Sequence, residues 1–92
     1  MLDPDQTYFV EYTTTVTLPG GAEAVTALQV DDVTVESSFS SVTNGGALAL
    51  NLVLSGSSII NTGGTPATLT LANISGTDFN FAFTTVTVVK LI

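Results

Sequence analysis

Twelve consecutive residues, Thr7 to Leu18, alternate without a break. Tyr8, Val10, Tyr12, Thr14, Val16 and Leu18 fall on one parity, and Phe9, Glu11, Thr13, Thr15 and Thr17 on the other. A period of two places successive side chains on opposite faces of a pleated strand, whereas a helix would scatter both sets around its axis. Thr, Val and Tyr also favour the pleated, half-buried surface. A strand this long cannot stand alone, because by itself it leaves its backbone donors and acceptors without partners. The rest of the chain must supply them.

It reads as further strands. Pro19-Gly20-Gly21 ends the first as a turn. Ala22 to Val30 carries Ala, Glu and Leu that suit a short helix, but Val25, Thr26 and Val30 favour a strand. Asp31-Asp32 break or bulge it, and the strand pattern resumes from Val33 to Phe39. Asn44-Gly45-Gly46 is the hairpin signal, since Asn-Gly supplies the positive φ angles of a type I′ turn. Leu48, Leu50, Leu52 and Leu54 then give the next strand one apolar face, and Ser55-Gly56-Ser57 is expected to turn the chain into a short strand at Ile59-Ile60. After the loop Thr62-Gly63-Gly64-Thr65-Pro66, Thr68 to Ala72 points Leu69 and Leu71 inward. Ser75-Gly76-Thr77-Asp78 leads into a last strand from Phe79 to Ile92, with Phe79, Phe81 and Phe83 on one face. Seven to eight strands at roughly ten-residue spacing predict one all-β domain over residues 1–92, an antiparallel β-sandwich or small barrel of the Ig-like or jelly-roll-like kind. Its expected core is Val10, Val16, Leu50, Leu52, Leu69, Leu71, Phe81 and Phe83.

Composition removes most chemistries. The chain has no Cys and no His, one basic residue (Lys90) against eight acids, and a net charge of −7. Ordinary zinc and copper sites, Ser–His–Asp and Cys–His pairs and a disulfide framework are therefore excluded. One cation offers no phosphate-reading surface, so nucleic acid is not an expected partner. Asp3, Asp5, Asp31, Asp32, Glu36 and Asp78 are spread along the chain without a dense Ca²⁺-loop spacing and read as solvated turn and edge charges. No G-x-S-x-G elbow is present, the Gly pairs carry no Lys, and Asn73-Ile74-Ser75 reads as a plain turn. Tyr8, Phe9 and Tyr12 straddle both faces of one strand, which favours core packing over a sugar-stacking platform. No enzyme, cofactor or metal is expected. No stretch approaches the roughly 20 apolar residues of a membrane helix, so a membrane is not an expected partner either.

The terminal strand stands apart. From Val86 onward both of its faces are largely apolar, with Val86, Val88 and Ile92 on one and Val89 and Leu91 on the other, interrupted only by Thr87 and Lys90. Charged residues are only 10% of the chain, against about 25% in an ordinary domain. A surface so poor in charge is consistent with cover by other subunits. Either the terminal strand is a central strand covered on both sides within its own domain, or it projects into a neighbouring subunit. On the second reading Val86, Val88, Val89, Leu91 and Ile92 are the expected interface, with terminal strands 7–18 and 79–92 available to be shared with neighbouring subunits.

Over Thr7–Leu18, Ala47–Leu54 and Phe79–Ile92 the chain resembles, in style, the small all-β decoration (cement) and tail proteins of tailed bacteriophages, without a diagnostic motif. The resemblance implies a structural, homo-oligomeric virion component that clamps capsid or tail subunits, with no catalytic residues carried over. Met1-Leu2-Asp3-Pro4-Asp5 shows no signal-peptide pattern, so synthesis in a host cytoplasm and residence in the virion are expected, with an extracellular surface as the alternative. Two other functions remain: a filament or pilus-like subunit joined by strand exchange, and a small carbohydrate-binding β module.

Overall fold

A computed structural model describes residues 1–77 and 79–91. It contains seven strands: β1 (Thr7–Leu18), β2 (Glu23–Val30), β3 (Val33–Thr34), β4 (Ser40–Thr43), β5 (Leu50–Asn61), β6 (Leu69–Asn73) and β7 (Asn80–Lys90), with one 3-10 turn at Glu36–Ser38. They form two antiparallel sheets that do not close into a barrel. In the first, β1 lies between β5 and β7. In the second, β2 lies between β6 on one side and β3 and β4 on the other, because Gln29 and Val30 pair with both β3 and β6 while Thr26 pairs with both β4 and β6. Except for β2 to β3 and β3 to β4, each chain connection crosses from one sheet to the other.

The alternation of β1 is realised in full. All six even-numbered residues from Tyr8 to Leu18 are buried between the sheets. Tyr8, Val10 and Tyr12 pack with Leu28, Ile60, Leu2 and Ala67. Val16 and Leu18 pack with Ala24 and Leu54. Buried polar groups hold the layers in register. The Tyr12 hydroxyl donates to the Ser38 carbonyl oxygen (2.8 Å) and lies 3.0 Å from Thr26 Oγ1. Ser38 Oγ accepts from Leu28 N–H and donates to the Val35 carbonyl. Burial pushes the Tyr12 phenol above its ordinary value, partly offset by the bond to Thr26.

Ser55-Gly56-Ser57 does not turn the chain. β5 runs through it in unbroken register with β1. Gly56 is there because it sits opposite Tyr12, and a Cβ at that position would lie 2.8 Å from the Tyr12 ring and 2.5 Å from Ser38 O. The missing side chain makes room for the ring.

The hairpin expected at Asn44-Gly45-Gly46 is not formed either. β4 pairs with β2 and β5 with β1, so this loop carries the chain between sheets, and none of its three residues has a positive φ. Asn44 is buried instead. Its side-chain amide donates to Leu18 O (3.0 Å) and Leu48 O (2.8 Å), its Oδ1 accepts from Gly46 N–H (3.0 Å), and its backbone exchanges bonds with Gly21 and Ala22. It clips the β1–β2 and β4–β5 crossings together at one end. The two-residue hairpin lies at Asp31-Asp32, with φ of 50° and 67°, the double positive φ of a type I′ turn joining β2 to β3.

Of the expected core, Val10 and Val16 are fully buried, and Leu52, Leu69, Leu71 and Phe81 are half-buried against the two clusters. Leu50 is half exposed at the sheet's end, and Phe83 is 87% exposed. Both are outside the core; the reason for Phe83 lies in β7.

Candidate functional site

The sandwich is closed along one long side and open along the other. On the closed side, β4 and the 3-10 turn lie against β5, and Ser37 Oγ and Ser58 Oγ are 2.6 Å apart. On the open side, the packing of β7 is almost entirely against β1. Between β6 and β7 a slot of about 240 Å³ remains, lined by Thr14, Thr26, Leu71, Ala72, Asn73, Phe81 and Thr84.

A bulge divides β7. Thr13 pairs with Thr85 and Thr15 with Ala82, so Phe83 and Thr84 together oppose Thr14, whose Oγ1 lies 2.8 Å from Thr84 Oγ1. Phe83 takes φ 52°, a left-handed conformation that is costly for a bulky residue. The extra residue switches the parity of the strand. Before the bulge Phe81, an odd residue, shares the inner face with Val16; after it Val86 and Val88, even residues, share that face with Tyr12 and Val10. Phe83 falls at the switch and is turned out to solvent. The sequence carries this signal: apolar residues sit at 79, 81 and 83, then at 86 and 88.

The expected interface residues lie on the straight part beyond the bulge. Val86 and Val88 are 42% exposed on the inner face, because the second sheet does not extend over them. Val89, opposite Phe9, is on the outer face, and Leu91 follows it; both are nearly half exposed. Ile92 lies outside the described residues. Lys90 Nζ is 3.4 Å from Asp3 Oδ2, an exposed ion pair. The uncovered edge shows in the overall shape. The radius of gyration is 14.4 Å, against about 12.3 Å for a compact chain of this length. The accessible surface is 5336 Å², against about 5,000 Å² expected for the mass.

The outer face of the first sheet is a lawn of hydroxyls. A shallow depression of about 490 Å³ there is lined by Glu11, Thr13, Ser55, Ser57, Thr85 and Thr87, with Tyr12 and Gly56 at its floor. A single carboxylate among hydroxyls has no partner base or acid for catalysis. Among the described residues no group of three or more acids comes together, and no helix is long and apolar enough to cross a membrane. Tyr8 and Tyr12 are buried, so neither presents a face to a sugar. No protein-family model, curated protein or solved structure matches this chain.

Proposed function

We propose that this chain is a non-enzymatic structural protein that assembles through β-strand and apolar contacts, as a virion decoration or tail component. One observation carries the reading: β7 is an uncovered edge strand with exposed valines on both faces and a strained, outward Phe83. A long apolar edge is an aggregation liability in a free monomer and is normally blunted by charge or cover. Here Lys90 is the one charge on the strand, and the bulge at Phe83–Thr84 leaves the segment beyond it open. The virion setting rests on the resemblance in strand composition and on the scarcity of charge.

Deleting Val89 to Ile92 tests the reading. Solution mass and attachment to particles should both fall to those of a lone chain, with the β-sheet circular dichroism retained. A truncated chain that assembles as before refutes it, and one that unfolds assigns the strand to its own core.

A second reading draws on the slot between β6 and β7, whose apolar lining from Leu71, Ala72 and Phe81 has the form of a groove for a donated strand. Head-to-tail donation would yield fibres of indefinite length in place of a closed oligomer.

A further inference from the structure

We infer that the occupant of the free β7 edge is β7 of a second copy, paired antiparallel across a two-fold axis at Val88; this rests on the assembly reading above and specifies its geometry.

The backbone of β7 fixes which groups are available. Leu91 N–H donates to Thr7 O, and the register continues Lys90 opposite Tyr8 and Val89 opposite Phe9. In an antiparallel ladder, successive residues turn their N–H and C=O alternately to one neighbour and the other. Thr85, Thr87, Val89 and Leu91 therefore bond to β1. Val86, Val88 and Lys90 aim their N–H and C=O at the empty edge. An antiparallel edge is complementary to itself, so one two-fold operation satisfies both copies.

The bulge sets the register. Pairing cannot run straight through Phe83 and Thr84, and beyond them the middle one of the three described residues that bond outward, Val86, Val88 and Lys90, is Val88. Centred there, Val88 faces its own copy, Val86 faces the partner's Lys90, and Thr87 faces the partner's Val89. The two Lys90 side chains are held apart, and the inner-face valines of both copies form one continuous row.

Charge selects a second copy at this edge. Each chain carries −7, and copies repel wherever acids face each other. β7 contains no acid and one Lys. The competing edge, β5, is flanked by β4 and the 3-10 turn, and β6 offers only five residues. β5 is one residue longer than β7 but is packed along part of its length, whereas β7 packs almost only against β1; pairing at β7 would join two three-stranded sheets into one of six.

The chain has no cysteine, so Val88→Cys introduces a single thiol. In a hydrogen-bonded antiparallel pair the two Cα atoms are about 5.5 Å apart, within the roughly 4.4–6.8 Å that a disulfide spans. Mild oxidation should convert Val88→Cys to a covalent dimer of twice the chain mass much faster than Val53→Cys, although position 53, on the outer face of β5, is the more exposed of the two. Val88→Pro removes a donor from the free edge alone, a position where Pro is tolerated. It should halve the solution mass and keep the β-sheet circular dichroism. If Val88→Pro is folded yet keeps the wild-type mass, or Val88→Cys crosslinks no faster than Val53→Cys, the two-fold pairing is wrong although assembly by another surface stands. If Val88→Pro unfolds, the crosslinking rates alone decide. A wild-type chain of single-chain mass at every concentration overturns the pairing directly, and the truncation on particles then judges the assembly reading by itself.

Discussion

Val10 and Val88 are the same residue, directly paired on adjacent strands, with side chains on the same face of the same sheet. One is fully buried and the other is 42% exposed. Tyr12 and its partner Val86 repeat the contrast at 1% and 42%. The difference lies in the roof. β2 and its neighbours cover β1 and β5 and stop short of the far half of β7. Alternation determines which way a side chain points, and the opposing layer determines whether it is covered. A single chain can thus present a finished core and an unfinished one on one sheet surface, five ångströms apart by the ordinary spacing of strands.

Several substitutions would sharpen or break that contrast. The largest effect is expected at Leu54, fully buried between the sheets: Leu54→Ala should cost roughly 2–5 kcal/mol of unfolding free energy. A loss inside the surface range of about 0.5 kcal/mol would mean that the two layers do not meet there. The paired valines come next. At concentrations low enough to keep the chain monomeric, Val10→Ala should lower stability by about 2 kcal/mol and Val88→Ala by no more than about 0.5 kcal/mol. Equal losses in denaturant titrations would show that β7 is roofed after all.

Tyr12→Phe leaves the Ser38 carbonyl and Thr26 hydroxyl without their partner and should cost about 1–2 kcal/mol. It should also change the alkaline limb. The folded state holds the Tyr12 phenol above its ordinary value of about 10, so the unfolded chain ionises first as pH rises. That contribution is complete below pH 10 and is lost above it. Melting temperatures followed across this range should fall less steeply for Tyr12→Phe than for the wild type. The smallest effect has the opposite sign. Phe83→Gly relieves a left-handed backbone and buries nothing less, so it should raise stability by about 1 kcal/mol. A loss instead would give the exposed ring a packing role within its own domain.

The all-β class, the inner face of β1 and the position of most strands were legible in the residues, because period two is a local signal that tertiary packing only confirmed. What escaped was decided by distant neighbours. Gly56 looks like a turn until the ring of Tyr12 is placed opposite it. Asn44-Gly45 has the composition of a tight hairpin, yet its side chain is spent on Leu18 and Leu48 carbonyls, which no local reading supplies. Asp31-Asp32 forms an I′ turn with residues that tolerate positive φ less well than Gly but better than most. The bulge was written in the sequence as a change of parity between Phe83 and Val86. Of the candidate interface, the apolar residues were readable one by one; that the second sheet fails to reach them was not.

The connection order also has a consequence in time. β1 precedes the other described strands along the chain, and it is the centre of its sheet. Its neighbours are residues 50–61 on one side and 80–90 on the other. On the ribosome it must therefore wait with both edges unpaired until residues 50–61 and then 80–90 have been made. Loop closure over such separations makes folding slow, in the range typical of non-local β topologies. The interval before β7 docks is the period when the nascent chain is most exposed to mispairing, and a copy already assembled at β7 would offer a late-emerging neighbour the correct edge only after its own β1 has closed.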